Sequence, residues 1–380
     1  MSWQDTTLGP HVDLLSGPAF KSNLFTDNPS DVPLVKGENI GQGKILWEKS
    51  KYWPNSDANQ YDKYKLKAGD VVLAMDRPWV TAGLKYAVIN EHDPEALLVQ
   101  RVARLRGING LDSGFLRYVV SSPEFTGYVK NIMGGTNVPH ISGDQIRAFQ
   151  FAMPPVREQQ AIASILSAYD NLIENNRRRI QLLEQSARLL YKEWFVHLRF
   201  PGHEHVKIKD GVPEGWEKKP LGEVAPLKYG KALKKDDRMP GPYPVYGSSG
   251  VVGTHSKALV SGPAIIVGRK GNVGSVYWCE DDFHPIDTVY FIDSENCNLY
   301  LYYALLHIQF INADVAVPGL NRDFAHSRLL LVADTKMLRL FDEIAAPIHE
   351  QIVRLDRCNR TLSRARDMLP RLIHAPIKPK

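Results

Sequence analysis

The chain has 380 residues, of which 43% are hydrophobic, 23% charged and 9% aromatic; that is enough for two or three domains, each with its own core. Its 47 Lys and Arg against 42 Asp and Glu give a net charge of +5, an excess that admits anionic partners without requiring them. The opening Met1-Ser2-Trp3-Gln4-Asp5 lacks a basic or apolar leader and no long apolar run follows, so a soluble, cytoplasmic protein without a membrane segment is expected. Cys279, Cys297 and Cys358 show neither disulfide nor zinc spacing.

Taken in chain order, the sequence repeats itself. Trp3-x-x-x-x-Leu8-Gly9 opens the first copy, and the glycine turn of Lys67-Ala68-Gly69-Asp70 feeds the strand-like run Val71-Val72-Leu73-Ala74, after which comes Arg77. Val138-Pro139-x-x-x-x-Asp144 closes it. Pro154-Pro155 then starts a helix expected from about Arg157 to Val196, roughly 60 Å at about 1.5 Å per residue. Its seam is Ile162, Ile165, Leu166, Tyr169, Leu172, Asn176, Ile180, Leu183, Ala187, Leu190 and Trp194 at three- and four-residue steps.

After a Pro- and Gly-containing linker from Pro201 to Gly215, the second copy begins at Trp216-x-x-x-x-Leu221-Gly222. It continues through Val260-Ser261-Gly262-Pro263-Ala264-Ile265-Ile266-Val267 and Arg269-Lys270, and closes at Val317-Pro318-x-x-x-x-Asp323. A second helical seam follows, with Ala345, Ile348, Ile352, Leu355, Asn359, Leu362, Leu369 and Leu372. A helix this long must pack along a partner. The simplest closed arrangement is an antiparallel helix pair with one globule at each end about an approximate two-fold axis, and Asn176 and Asn359 suit setting its register.

Catalytic motifs are hard to find. Asn28-Pro29-Ser30-Asp31 lacks the second proline and the aromatic of a methyltransferase tetrapeptide, and Gln42 and Ile45 break a P-loop between Gly37 and Lys44. His203-Glu204-His205 is more simply a solvated linker than a metal site, and Glu280-Asp281-Asp282 more simply an acidic turn than a nuclease cation site. What remains are glycine-punctuated loops such as Arg269-Lys270-Gly271-Asn272, which offer cations for guanine edges or phosphates and an amide for adenine edges.

These elements together resemble the specificity subunit of type I restriction-modification enzymes across nearly the whole chain. The resemblance is carried by Pro154-Pro155-Val156-Arg157-Glu158-Gln159-Gln160-Ala161-Ile162-Ala163-Ser164-Ile165-Leu166, by Leu190-Tyr191-Lys192-Glu193-Trp194-Phe195-Val196, and by Asn359-Arg360-x-Leu362-x-x-x-Arg366-Asp367-x-Leu369-Pro370-Arg371-Leu372. Met368-Leu369 stands where that family has a second leucine before the proline. The implied fold is α+β, with two α/β target recognition domains (1–153 and 201–333) joined by two long antiparallel spacer helices (154–200 and 334–380) in a pseudo-two-fold internal repeat.

The resemblance implies a non-catalytic chain that reads a bipartite duplex DNA target and docks two modification subunits, with restriction subunits joining them. S-adenosylmethionine, ATP and magnesium are then expected on those partners and no cofactor on this chain. Implied DNA-contact candidates are Lys36, Asn39, Arg77 and Arg101 in the first domain. In the second they are Tyr246, Ser248, Ser249, Arg269, Lys270, Asn272, Asn321 and Arg322. Because the run Gln100-Arg101-Val102 alternates, either Arg101 or Val102 points inward, and an inward Arg101 is structural. Gln159, Arg177 and Glu184 are candidates for partner recruitment on the helices' polar faces. The competing readings are a stand-alone metal-dependent nuclease or methyltransferase sharing only the recognition domains, and an interaction protein whose globules bind protein.

Overall fold

The computed structural model describes residues 3–133, 139–308, 310 and 319–374. Helix and strand are mixed throughout. The chain forms two compact units, the first made of residues up to Asn171 together with Ala365 onward, the second of Leu172–Arg364. Each long helix is thus shared between them. Val138, Val317 and Pro318 of the closing repeat motifs lie outside the described residues.

In the first unit Val71–Ala74 is the middle strand of a five-stranded sheet, hydrogen-bonded to Val102–Gly107 on one side and Tyr86–Val88 on the other. All four residues are apolar because both faces are covered. Val71 and Leu73 pack against the helices Ser113–Ser121 and Pro123–Met133 through Leu116, Val120 and Phe125, while Val72 and Ala74 pack on Val35, Ile40 and Leu98. Gln4–Thr7 pairs antiparallel with Gln150–Met153, which brings the start of the unit beside the strand that leads into the first long helix.

The second unit repeats these devices. Ala264–Gly268 is an interior strand, fully buried, between Val276–Cys279 and Val289–Ile292. Ile265 and Val267 face the helix Leu299–His307, and Ala264 and Ile266 face Phe283. Glu217–Pro220 pairs with Leu329–Val332 just before the second long helix.

The first long helix runs Val156–Tyr191 and ends in a π-turn over Lys192–Val196; the second runs Thr335–His374, opened by the Asp334 carboxylate accepting from the Met337 N–H at 2.9 Å. Within the second unit they are antiparallel. Asn176 donates to Asn359 at 3.0 Å, whereas the later Trp194 meets the earlier Phe341 with ring centroids 5.9 Å apart. The buried stripe on the first helix is Gln159, Ala163, Leu166, Ile173, Asn176, Ala187, Tyr191 and Trp194. Ile165 and Leu172, expected in the seam, are instead exposed; each sits one position off the stripe, about 100° round the helix. Within the first unit Asp170 accepts from Arg366 at 2.7 Å, Arg117 at 2.5 Å and Tyr118 at 3.0 Å. Among the described residues no helix is long and apolar enough to cross a membrane.

Candidate nucleic-acid interface

Three segments of the second unit converge. The hairpin Tyr243–Gly247 and Gly250–His255 presents Ser248-Ser249 at its tip, and the loop after Ala264–Gly268 folds against it. Ser248 Oγ accepts from the Asn272 N–H at 3.3 Å, and its carbonyl accepts from Ser275 Oγ at 2.6 Å and Tyr277 OH at 3.2 Å. Gly268 permits this crossing, because a Cβ there would lie 2.2 Å from the Asn272 carbonyl oxygen. Leu320 N–H donates to the Arg269 carbonyl at 2.8 Å and Lys270 bridges to Gly319, so residues 319–322 close the third side.

This geometry sorts the candidates. Ser249, Lys270, Asn272 and Arg322 are exposed, and Arg269 is half-buried with its guanidinium donating to the Asp287 carbonyl at 3.1 Å. Ser248 is buried and holds loops together rather than facing a ligand. Tyr246 packs its ring on Phe283 and Tyr277, and burial raises its phenol above the ordinary range; it is partly buried against the core rather than presented outward. Asn321 caps the helix Arg322–His326, its side-chain oxygen accepting from the Asp323 and Phe324 N–H groups at 2.8 and 3.1 Å. With that oxygen occupied, Asn321 has no donor-acceptor pair to offer an adenine edge.

The first unit gathers a looser basic group. Arg77 is exposed at φ +44°, its N–H donating to the Pro139 carbonyl at 2.7 Å. Arg101, at φ +63°, faces outward and Val102 inward, which settles the alternation; the Arg101 guanidinium lies 2.7 Å from Asp76. Asp76 also meets His140 Nδ1 at 2.6 Å. Burial would raise the Asp76 carboxyl, but hydrogen bonds from His140 and Arg101 outweigh it and hold it below the usual range. Lys36 sits 3.2 Å from Glu38 and over the Phe25 ring.

Asn39, by contrast, is 1% exposed. Its oxygen accepts from the Lys36 N–H at 2.8 Å, and its amide donates to the Leu34 carbonyl and Ser50 Oγ, both at 2.9 Å. It shapes the loop and cannot reach a base. Sequence reasoning missed Lys85, whose ammonium donates to the Gly37 carbonyl of that loop. Burial, opposed by Glu38 and assisted by Arg77, pushes it below the ordinary lysine range. A single lysine between strand residues carries no pattern that marks it.

The family model for the type I restriction modification DNA specificity domain matches residues 2–185 and 213–321. The chain belongs to this specificity family. It is 33% identical over 187 residues to the type I restriction enzyme MjaVIII specificity subunit of Methanocaldococcus jannaschii, covering 49% of this chain and 44% of that one. It is 34% identical over 174 residues to the EcoAI specificity subunit of Escherichia coli, covering 45% and 28%. These matches therefore span less than half the length of either relative. The S subunit of a type I restriction-modification system from M. genitalium shares the fold, with a TM-score of 0.59 at 18% identity over 97% of this chain and 94% of that one.

On the helices of this specificity-family chain, Gln159 is not a docking residue. It is 0% exposed. Its amide donates to the Gly110 and Pro154 carbonyls at 2.9 and 2.8 Å and its oxygen accepts from the Asp112 N–H at 2.8 Å, which pins the start of the first long helix to the first unit. Arg177 and Glu184 do reach solvent, lining a groove of about 590 Å³ with Asn359, Arg360 and Arg364. The acidic run is structural: Glu280 accepts from the Trp278 indole at 2.8 Å, Asp281 from Arg357 at 2.9 Å and Asp282 from the Gly262 N–H at 3.1 Å. His203 of the His-Glu-His run meets the Phe200 carbonyl at 2.9 Å inside a short turn.

Proposed function

We propose that this chain is the non-catalytic, DNA-reading subunit of a type I restriction-modification complex, recognising a split duplex target with one recognition domain per half. The domains are residues 1–153 and 201–333, related by a pseudo-two-fold repeat. The helices between them, 154–200 and 334–380, set the gap and carry two modification subunits, with Arg177 and Glu184 among the docking residues. Methyl transfer from S-adenosylmethionine to adenine belongs to those partners, and ATP- and magnesium-dependent translocation and cleavage to restriction subunits. The observation that carries the reading is the convergence of Arg269, Lys270 and Arg322 with Ser249 and Asn272 from separate segments. Cations and amides on a shared loop platform suit phosphate positioning and base-edge readout.

The test is adenine-methylation mapping in a methylation-deficient bacterium expressing this chain with a methyltransferase encoded beside it, against each alone. A split motif methylated only when both are present is expected. Methylation by the partner alone, or none from a pair shown to assemble, refutes the reading.

A further inference from the structure

Tyr229 lies in none of the loops that the sequence singled out, yet two of the strongest DNA-contact candidates lean on it. The Arg269 guanidinium carbon is 5.0 Å from the Tyr229 ring centroid, and that of Arg322, far along the chain, is also 5.0 Å away. Tyr229 is 48% exposed. Behind it, edge-on with centroids 5.0 Å apart, stands the buried Tyr290, whose hydroxyl donates to the Leu320 carbonyl at 2.9 Å. The platform is therefore tied to the backbone that carries Arg322, and Arg269 rests 5.7 Å from the Tyr290 ring as well.

Neither guanidinium has a carboxylate within salt-bridge distance among the described residues; Lys270 beside them reaches Asp287 only at 4.0 Å. Two cations that share one half-exposed ring, with no carboxylate of the described residues within 4.0 Å, repel each other, and an anion such as a phosphate above them would offset that repulsion. We infer that Tyr229 is a positioning residue for DNA recognition, its π-face holding Arg269 and Arg322 together so that both engage the same stretch of duplex. This rests on the DNA-reading role proposed above. The ring supplies the orientation and the guanidiniums supply the contact.

The experiment measures binding of the full chain to a fluorescein-labelled, random-sequence duplex by anisotropy between about 50 and 200 mM salt. Tyr229→Phe keeps the ring and should bind as the unaltered protein does. Tyr229→Leu keeps the bulk without the ring quadrupole and should weaken binding about five- to thirtyfold, the effect of losing two exposed cation–π contacts. Tyr229→Gln gives a second ring-less variant at this half-exposed site, and thermal unfolding checks that each remains folded. In an R269A/R322A background the loss on adding Tyr229→Leu should shrink to less than about twofold, because the contacts it supports are gone. A Tyr229→Leu protein that binds normally, or one whose loss persists undiminished in that background, overturns the inference while leaving DNA reading intact. Absence of duplex affinity in the unaltered chain overturns both.

Discussion

Replacing Asn176 by leucine tests what the buried amide pair does. Asn176 and Asn359 are 8% and 9% exposed and share one side-chain hydrogen bond of 3.0 Å between the two long helices. Either single substitution leaves the other nearly buried amide without its partner, between the helix seam and the polar groove that Asn359 lines, a cost of about 1–3 kcal/mol. The new leucine returns part of this, up to about 1.5–3 kcal/mol where its burial is complete, so each single variant should fall between neutral and about 2 kcal/mol less stable. The double variant removes both polar groups and buries two leucines; it should be at least as stable as the unaltered chain, with a favourable coupling of about 1–3 kcal/mol. Amide hydrogen exchange of the helical segments around both positions gives the opening free energies locally, without requiring the whole chain to unfold in one step. A double variant less stable than either single would mean that the amides support structure beyond their mutual bond. A stable double variant that loses a unique helix register would show that the pair trades stability for alignment, as polar seam residues do elsewhere.

Gln159→Leu leaves the Asp112 N–H and the Gly110 and Pro154 carbonyls without their partner, so thermal unfolding should show the first unit destabilised by about 2–4 kcal/mol; an unchanged melting temperature with lost partner recruitment would return Gln159 to a docking role. Burial holds His284 below its ordinary 6.5, beside His255. Both folded and unfolded states are neutral above about 6.5, and as pH falls from there the unfolded chain protonates first. The second unit should therefore lose stability below pH 6.5, and His284→Phe should flatten that acid limb in melting curves; an unchanged slope would exclude His284 as the cause. For the proposed DNA reading, inserting four residues beside Asn176 and four beside Asn359 lengthens each helix by about 6 Å. Methylation mapping should then show the gap between half-sites wider by a base pair or more, and an unaltered gap would refute the ruler.

The long helices and the doubly covered strands were legible because their signals are periodic and summed over many residues. The first helix was expected over 157–196 and is observed over 156–191 with its closing turn to Val196. Ile165 and Leu172 were misplaced for a local reason: a neighbour on the true stripe also fits a three- or four-residue step. Site residues were harder to read because an amide or hydroxyl in a glycine-rich loop has two uses with the same sequence signature. Asn39 and Asn321 spend their side-chain oxygens on backbone groups of their own loops and Ser248 spends its hydroxyl on the neighbouring loop, whereas Asn272 and Ser249 leave theirs outward. Tyr229 was invisible because its importance arises from residues 269 and 322, which only folding brings to it.

The pairing of Asp170 with Arg366 spans 196 positions of sequence, and it belongs wholly to the first unit. During translation, the first unit to leave the ribosome is then the last to be finished. Its Asp170 carboxylate, already held by Arg117 and Tyr118, waits for a guanidinium that emerges only after the entire second unit has been made. A chain ending at Arg364 would accordingly keep every residue of the second unit and still leave Asp170 of the first without Arg366, so truncation damage should appear first in protease protection around Arg117, Tyr118 and Asp170.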